Sequence, residues 1–164
     1  MYRRAKTEYI VLHTAASLKP NVTAAHIDTW HRQRGFEMIG YHYVIRRDGL
    51  IEPGRPERYA GAHCRGLNHN SIGICLTGHG DFLPWTPEQM RFLRELVNAL
   101  REKYNIWIEN VIGHREVNDL IAAGKLSARY RTDKTCPGKK IDMNALRLYI
   151  LQGHQQHIFR LPGV

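Results

Sequence analysis

Cysteine is scarce in this chain: Cys64, Cys75 and Cys136 are the only three. An odd, small number argues against a disulfide framework, so the fold is expected to rest on a buried core in a reducing cytosol. Long apolar runs are missing as well. The basic start, Met1 to Lys6, leads only into the short run Tyr9 to Leu12, which His13 interrupts, so neither a secretory signal nor a membrane span is expected. Acidic side chains are few beside basic ones, 15 against 24, which gives a formal net charge of +9. The basic residues are spread along the chain and form no block, which speaks against direct nucleic-acid binding. Spread positive charge suits an anionic wall polymer or a membrane surface, or serves only to solubilise. Internal repeats, low-complexity tracts and linkers are absent, and 164 residues fit a single domain. The core is expected over residues 9–150, with a tail over 153–164 that no pattern fixes.

What is there reads as alternating strands and helices. Tyr9 to His13 is apolar and β-prone, a buried strand. Asn21-Val22-Thr23 offers helix-capping chemistry for a first helix running to about Arg34. Tyr41 to Ile45 and Leu50 to Glu52 flank Asp48-Gly49, a favoured tight-turn pair, and predict a hairpin. Pro53 to Asn70 is rich in glycine and polar residues and predicts a long functional loop. Ser71 to Leu76 is a further buried strand. Thr86-Pro87-Glu88-Gln89 carries a capping box and a first-turn proline, so a second helix is predicted from Pro87 to about Tyr104. Asn110 to His114 reads as a short strand and its exit loop, and Val117 to Ala123 as a helical turn. Asp142 can cap a third main helix.

Chemistry concentrates at Asp133-Lys134-Thr135-Cys136-Pro137-Gly138. Residues two apart in an extended segment point the same way, so Lys134 and Cys136 are expected to face one site. A nearby cation or metal favours thiolate over thiol. His13 and His114 each sit where a predicted buried strand gives way to a loop. With Cys136 they form a candidate set of three zinc ligands, leaving a fourth position open for water. Spacing alone leaves this one grouping among several, since the chain has ten histidines.

Five segments, in order, resemble the phage-type N-acetylmuramoyl-L-alanine amidases of the type-two amidase and peptidoglycan-recognition-protein superfamily. They are Ile10-Val11-Leu12-His13-Thr14-Ala15, the stretch from Gly40 to Gly49, the stretch from Asn68 to Leu76, Gly113-His114-Arg115-Glu116 and Lys134-Thr135-Cys136-Pro137. The resemblance implies an α/β domain, with a central mixed β-sheet flanked by about three main helices and a zinc cleft on one face. It implies His13, His114 and Cys136 as the ligands of one Zn2+ and Tyr41 and Lys134 as the catalytic polar pair. A phenol near the attacking water can orient it, and a lysine can steady charge developing on the carbonyl oxygen. His63, Asn68 and Arg65 in the long loop are expected to contact the muropeptide. Glu116 either supports His114 or is a surface residue. His42, next to Tyr41, is expected to face away from the site.

The implied activity is hydrolysis of the amide between N-acetylmuramic acid and L-alanine in peptidoglycan, as by an endolysin that waits in the host cytoplasm until the membrane is opened. A monomer is expected. Two other classes fit the same scaffold: a receptor that binds peptidoglycan without turnover, and a regulator that binds a protein, since some relatives also bind the phage RNA polymerase.

Overall fold

A computed structural model describes residues 1–153 and 162 of the chain. The strands and helices are β1 (Tyr9–Thr14), α1 (Ala24–Gln33), β2 (Tyr43–Ile45), β3 (Ile51–Pro53), β4 (Ser71–Leu76), α2 (Pro87–Tyr104), β5 (Val111–Gly113), α3 (Val117–Ala122) and α4 (Met143–Gln152). The strands form one sheet in the order β3-β2-β4-β1-β5. β1 pairs in parallel with both β4 and β5, β2 pairs in parallel with β4, and only the β2–β3 hairpin is antiparallel. The expected mixed sheet is therefore present, with three long helices and the short α3.

Strand alternation sorts the sheet into two faces. Ile10 and Leu12 of β1, Tyr43 and Ile45 of β2, and Ile72, Ile74 and Leu76 of β4 point one way. They pack on Leu93, Leu96, Val97 and Leu100 of α2 and on Leu146 and Ile150 of α4. These positions are essentially closed to solvent, and each large aliphatic side chain buried this way contributes about 1.5–3 kcal/mol. The opposite face carries Val11, His13, Val44, Gly73, Cys75 and Ile112. It is covered in two patches, one by Ile27 of α1 with Val22 and Ile39, the other by Cys64 and Leu67 of the long loop with Val117 of α3.

The caps follow the sequence. Thr86 accepts from Gln89 N at 3.0 Å while Gln89 Oε1 accepts from Thr86 N at 3.1 Å, and Pro87 sits in the first turn. Asp142 Oδ1 accepts from Asn144 N and Ala145 N at the start of α4. The Thr23 side chain caps α1, which stops at Gln33, one residue short of the expected end. The tail expected over 153–164 lies outside the described residues apart from Gly153 and Pro162. Among the described residues no helix is long and apolar enough to cross a membrane.

Candidate active site

In parallel sheets the loops leaving the carboxyl ends of the strands form the natural crevice. His13 stands near that end of β1, with Cys75 of β4 beside it in register, and His114 follows β5 directly. The Lys134–Gly138 loop closes over both. As a result, ligand atoms of His13, His114 and Cys136 lie within 4.8 Å of one another, the single such grouping among the described residues. Cys136 Sγ is 3.6 Å from His13 Nδ1, and the His13 and His114 ring centroids are 5.0 Å apart. Sequence spacing could propose this trio; the parallel pairing of β1 with β5 is what assembles it.

Arg115 holds the loop in place. Its N–H donates to Cys136 O at 2.8 Å, and its guanidinium donates to Thr135 O, Gly138 O and Ile141 O at 3.2, 2.7 and 2.5 Å. Asp81, on the other side, accepts from Thr135 Oγ1 at 2.9 Å and from Lys139 N at 2.8 Å. Gly80 and Gly138 meet backbone to backbone: a Cβ on Gly80 would lie 2.0 Å from Pro137 O, so no side chain fits there. Glu116 accepts from Gly113 N at 2.9 Å and takes both guanidinium nitrogens of Arg147 at 2.9 Å, so its carboxylate anchors the end of β5. Neither Arg115 nor Asp81 was marked out by the sequence. Their roles lie mostly in bonds to backbone carbonyls and amides distant in sequence, with the Thr135 hydroxyl as the one side-chain partner named here, and such bonds leave no periodic trace.

Burial governs the electrostatics. It drives the His13 pKa well below the usual imidazole range, and the nearby His63, His114 and Lys134 push the same way. Burial, with Lys134, brings His114 down to about 4. Burial pushes the Cys136 thiol up to about 11, against the opposing pull of the Thr14 N–H, Lys134 and Arg115. Without a metal the site thus holds two neutral imidazoles and a thiol. Lys134 alone does not make the thiolate, contrary to the simplest reading of the Lys-Thr-Cys spacing. The donor set itself, two nitrogens and one sulfur of mutually close geometry, fits a tetrahedral zinc with one position left over.

Tyr41 lies against this cluster, its ring centroid 5.0 Å from that of His13 and 5.4 Å from that of His31. Burial raises its phenol pKa well above the usual value, so it stands as an O–H donor. The Lys134 side chain is exposed, and its charge is felt by His13, His114 and Cys136. His42 does not alternate with Tyr41 to the far face, because the strand begins only at Tyr43. It is buried beside His63, with Nε2 on Tyr59 O at 2.9 Å and Nδ1 accepting from Gly73 N at 3.0 Å, which leaves it no part in the ligand cluster.

The three loop residues expected to meet substrate separate. His63 is half-buried, with Nδ1 2.8 Å from His13 Nε2 and Nε2 3.2 Å from Ser71 Oγ, so both its nitrogens are engaged within the protein. Asn68 Oδ1 accepts from His63 N and Cys64 N at 2.8 and 2.9 Å and braces the loop. Asn68 also lines an open hollow of about 260 Å³ with Tyr2, Phe36, Arg55 and His69. Arg65 is exposed. Cys64 is buried, and its burial pushes its thiol up to about 12, so it is an inert core residue despite its place in a loop.

Known proteins with the same layout give these positions their context. The endolysin of Enterobacteria phage T3 is 46% identical over 108 residues, covering 62% of this chain and 71% of its own. The endolysin of Escherichia phage T7 is 44% identical over 109 residues, covering 62% and 72%. The solved structure of N-acetylmuramoyl-L-alanine amidase LysC from Clostridium intestinale superposes with a TM-score of 0.74 at 32% identity, over 89% of this chain and 86% of that one. The pattern of the N-acetylmuramoyl-L-alanine amidase family matches residues 3–139, a span that takes in His13, Tyr41, His114, Lys134 and Cys136, and the chain belongs to that family.

Proposed function

We propose that this amidase is a zinc enzyme that cuts the bond between N-acetylmuramic acid and L-alanine in the peptidoglycan of a phage-infected cell, with His13, His114 and Cys136 as its metal ligands. The observation that carries the reading is the convergence of those three donors within 4.8 Å at the carboxyl ends of β1 and β5. Zinc bound there supplies Lewis acidity and makes water a nucleophile near neutral pH. The chain's own residues do the remainder. The Tyr41 phenol, kept protonated, orients the attacking water. The exposed Lys134 ammonium meets the negative charge that develops on the scissile carbonyl oxygen. The water oxygen bonds to the lactyl carbonyl carbon, the C–N bond breaks, and a proton from that water passes to the departing nitrogen, leaving a carboxylate on the lactyl group and a free amine on L-alanine.

The exposed Arg65 and the Asn68 side chain, which borders the open hollow, are read as contacts to the peptide stem. The chain is made in the host cytoplasm and acts on the wall once the inner membrane has been opened. Digestion of purified sacculi, with and without chelator, tests the reading. New L-alanine amines, lost on chelation and restored by zinc, support it. Unaltered digestion after zinc removal, or cleavage of glycan bonds only, would overturn it.

A further inference from the structure

His13 reaches past the metal site into a chain of hydrogen bonds whose direction is fixed at its far end. Leu67 O can only accept, and it lies 2.6 Å from Ser71 Oγ, which therefore donates its single proton there. Ser71 Oγ, having given that proton, accepts from the His63 Nε2–H at 3.2 Å. A neutral imidazole carries one N–H, so His63 Nδ1 is bare and accepts from His13 Nε2–H at 2.8 Å. His13 Nδ1 is then bare in turn, and it is the nitrogen that faces Cys136 Sγ at 3.6 Å.

The His63 ring lies against two glycines, at positions where no side chain would fit. A Cβ on Gly61 would lie 2.3 Å from His63 Cδ2, and one on Gly73 would lie 2.6 Å from its Cγ. Gly73 is itself clamped by His42, which takes its N–H at 3.0 Å and donates its own backbone N–H to Gly73 O at 2.9 Å. Two glycines facing one imidazole make the ring position a built feature of the fold.

We infer that His63 is a positioning residue: through Ser71 and Leu67 it fixes the tautomer of His13, so that His13 offers Nδ1 and not an N–H to the metal. This rests on the metal-site reading above. The relay ends on a carbonyl oxygen, which holds no exchangeable proton, so it orients His13 and does not shuttle protons. Partners that orient a ligating histidine typically affect metal affinity by about 10–100-fold.

The test has two arms on the full chain. Long-range 15N NMR of metal-free wild type reads the His13 tautomer directly, and protonation at Nε2 is expected. Competition with a chromogenic chelator reads zinc affinity in wild type, His63→Ala and His63→Asn. His63→Ala is expected to bind zinc about 10–100-fold more weakly. His63→Asn, whose amide oxygen can take the place of Nδ1, is expected to recover much of the loss. A His13 proton on Nδ1, wild-type zinc affinity in His63→Ala, or no difference between the Asn and Ala variants would overturn the inference. If the variants do not fold, the wild-type spectrum alone decides. Failure of wild type to take up zinc would sink the metal reading, and the tautomer measurement would still judge the hydrogen-bond assignment.

Discussion

The Arg115 N–H donates to Cys136 O at 2.8 Å, so the residue that follows one proposed ligand is bonded to another. The distance between β5 and the Cys136 loop is thereby set by backbone, with the Arg115 guanidinium adding three carbonyl partners. Hydrogen bonds from a charged donor contribute about 1.5–3 kcal/mol each, and the stranded carbonyls would add a cost of their own. Arg115→Ala is expected to lower the melting temperature and to weaken zinc binding together. Thermal melts of metal-free and zinc-loaded protein measure both. A variant that loses stability but keeps wild-type zinc affinity would show that Arg115 supports the fold and not the site.

Tyr41 and Lys134 are expected to act in turnover alone. Neither belongs to the cluster of three donors, so Tyr41→Phe and Lys134→Ala should retain zinc and fold. Loss of one donor aimed at developing charge costs on the order of a hundredfold or more in rate. Cys136→Ser should differ in kind, since a neutral hydroxyl is a poor zinc ligand beside a thiolate. Metal content and turnover measured on the same preparations separate the two classes. Wild-type rates in both polar variants would remove them from the mechanism.

Much of this architecture is legible in the residues. Thr86 with Gln89 and Asp142 with Ala145 announce their helices because capping uses contacts three residues apart. The apolar runs of β1 and β4 read as buried strands because both faces are covered. His42 and Tyr41 were harder: alternation assigns them to opposite faces, but it applies only within regular strand, which begins at Tyr43. His63 illustrates a different limit. A histidine in a polar, glycine-rich loop looks like a ligand-facing residue until two glycines are seen to pack against its ring, one of them, Gly73, outside the loop on β4. Arg115 stands in one of the five matching segments, but its role left no signal there, since its partners are backbone oxygens 20 or more residues away.

The net charge of +9 gives a prediction that the site does not. Attraction between exposed charges and an anionic wall is screened within about 8 Å at physiological ionic strength. Raising salt should therefore slow digestion of whole sacculi while hardly changing turnover of a small soluble muropeptide. A salt series on both substrates makes the comparison. Equal salt dependence would mean that the charge has no part in holding the enzyme to the wall.

Stability at acid pH should depend on Glu57, far from the metal cluster in function. Burial raises its pKa, but hydrogen bonds from Tyr104, Tyr43 and Lys103 together outweigh burial, and the net shift is below the usual carboxylate value. The Lys103 ammonium lies 3.0 Å from Oε2, and the two tyrosine hydroxyls donate to the same carboxylate. These contacts join the loop after β3 to α2 and β2. A carboxylate whose folded pKa is depressed contributes stability that is fully present above its unfolded pKa, near 4.5, and is lost as pH falls through the folded value. Glu57→Gln has no such proton to gain. Wild type should therefore be the more stable protein at neutral pH, and its advantage over Glu57→Gln should shrink steadily below about pH 5. Taking the difference between the two cancels the contributions of other depressed carboxylates, such as Asp28 and Glu8. Urea midpoints of both proteins from neutral to strongly acid pH measure it. A stability difference that stays constant across that range would show that Glu57 enters the fold as a hydrogen-bond acceptor only, with no linkage to its charge.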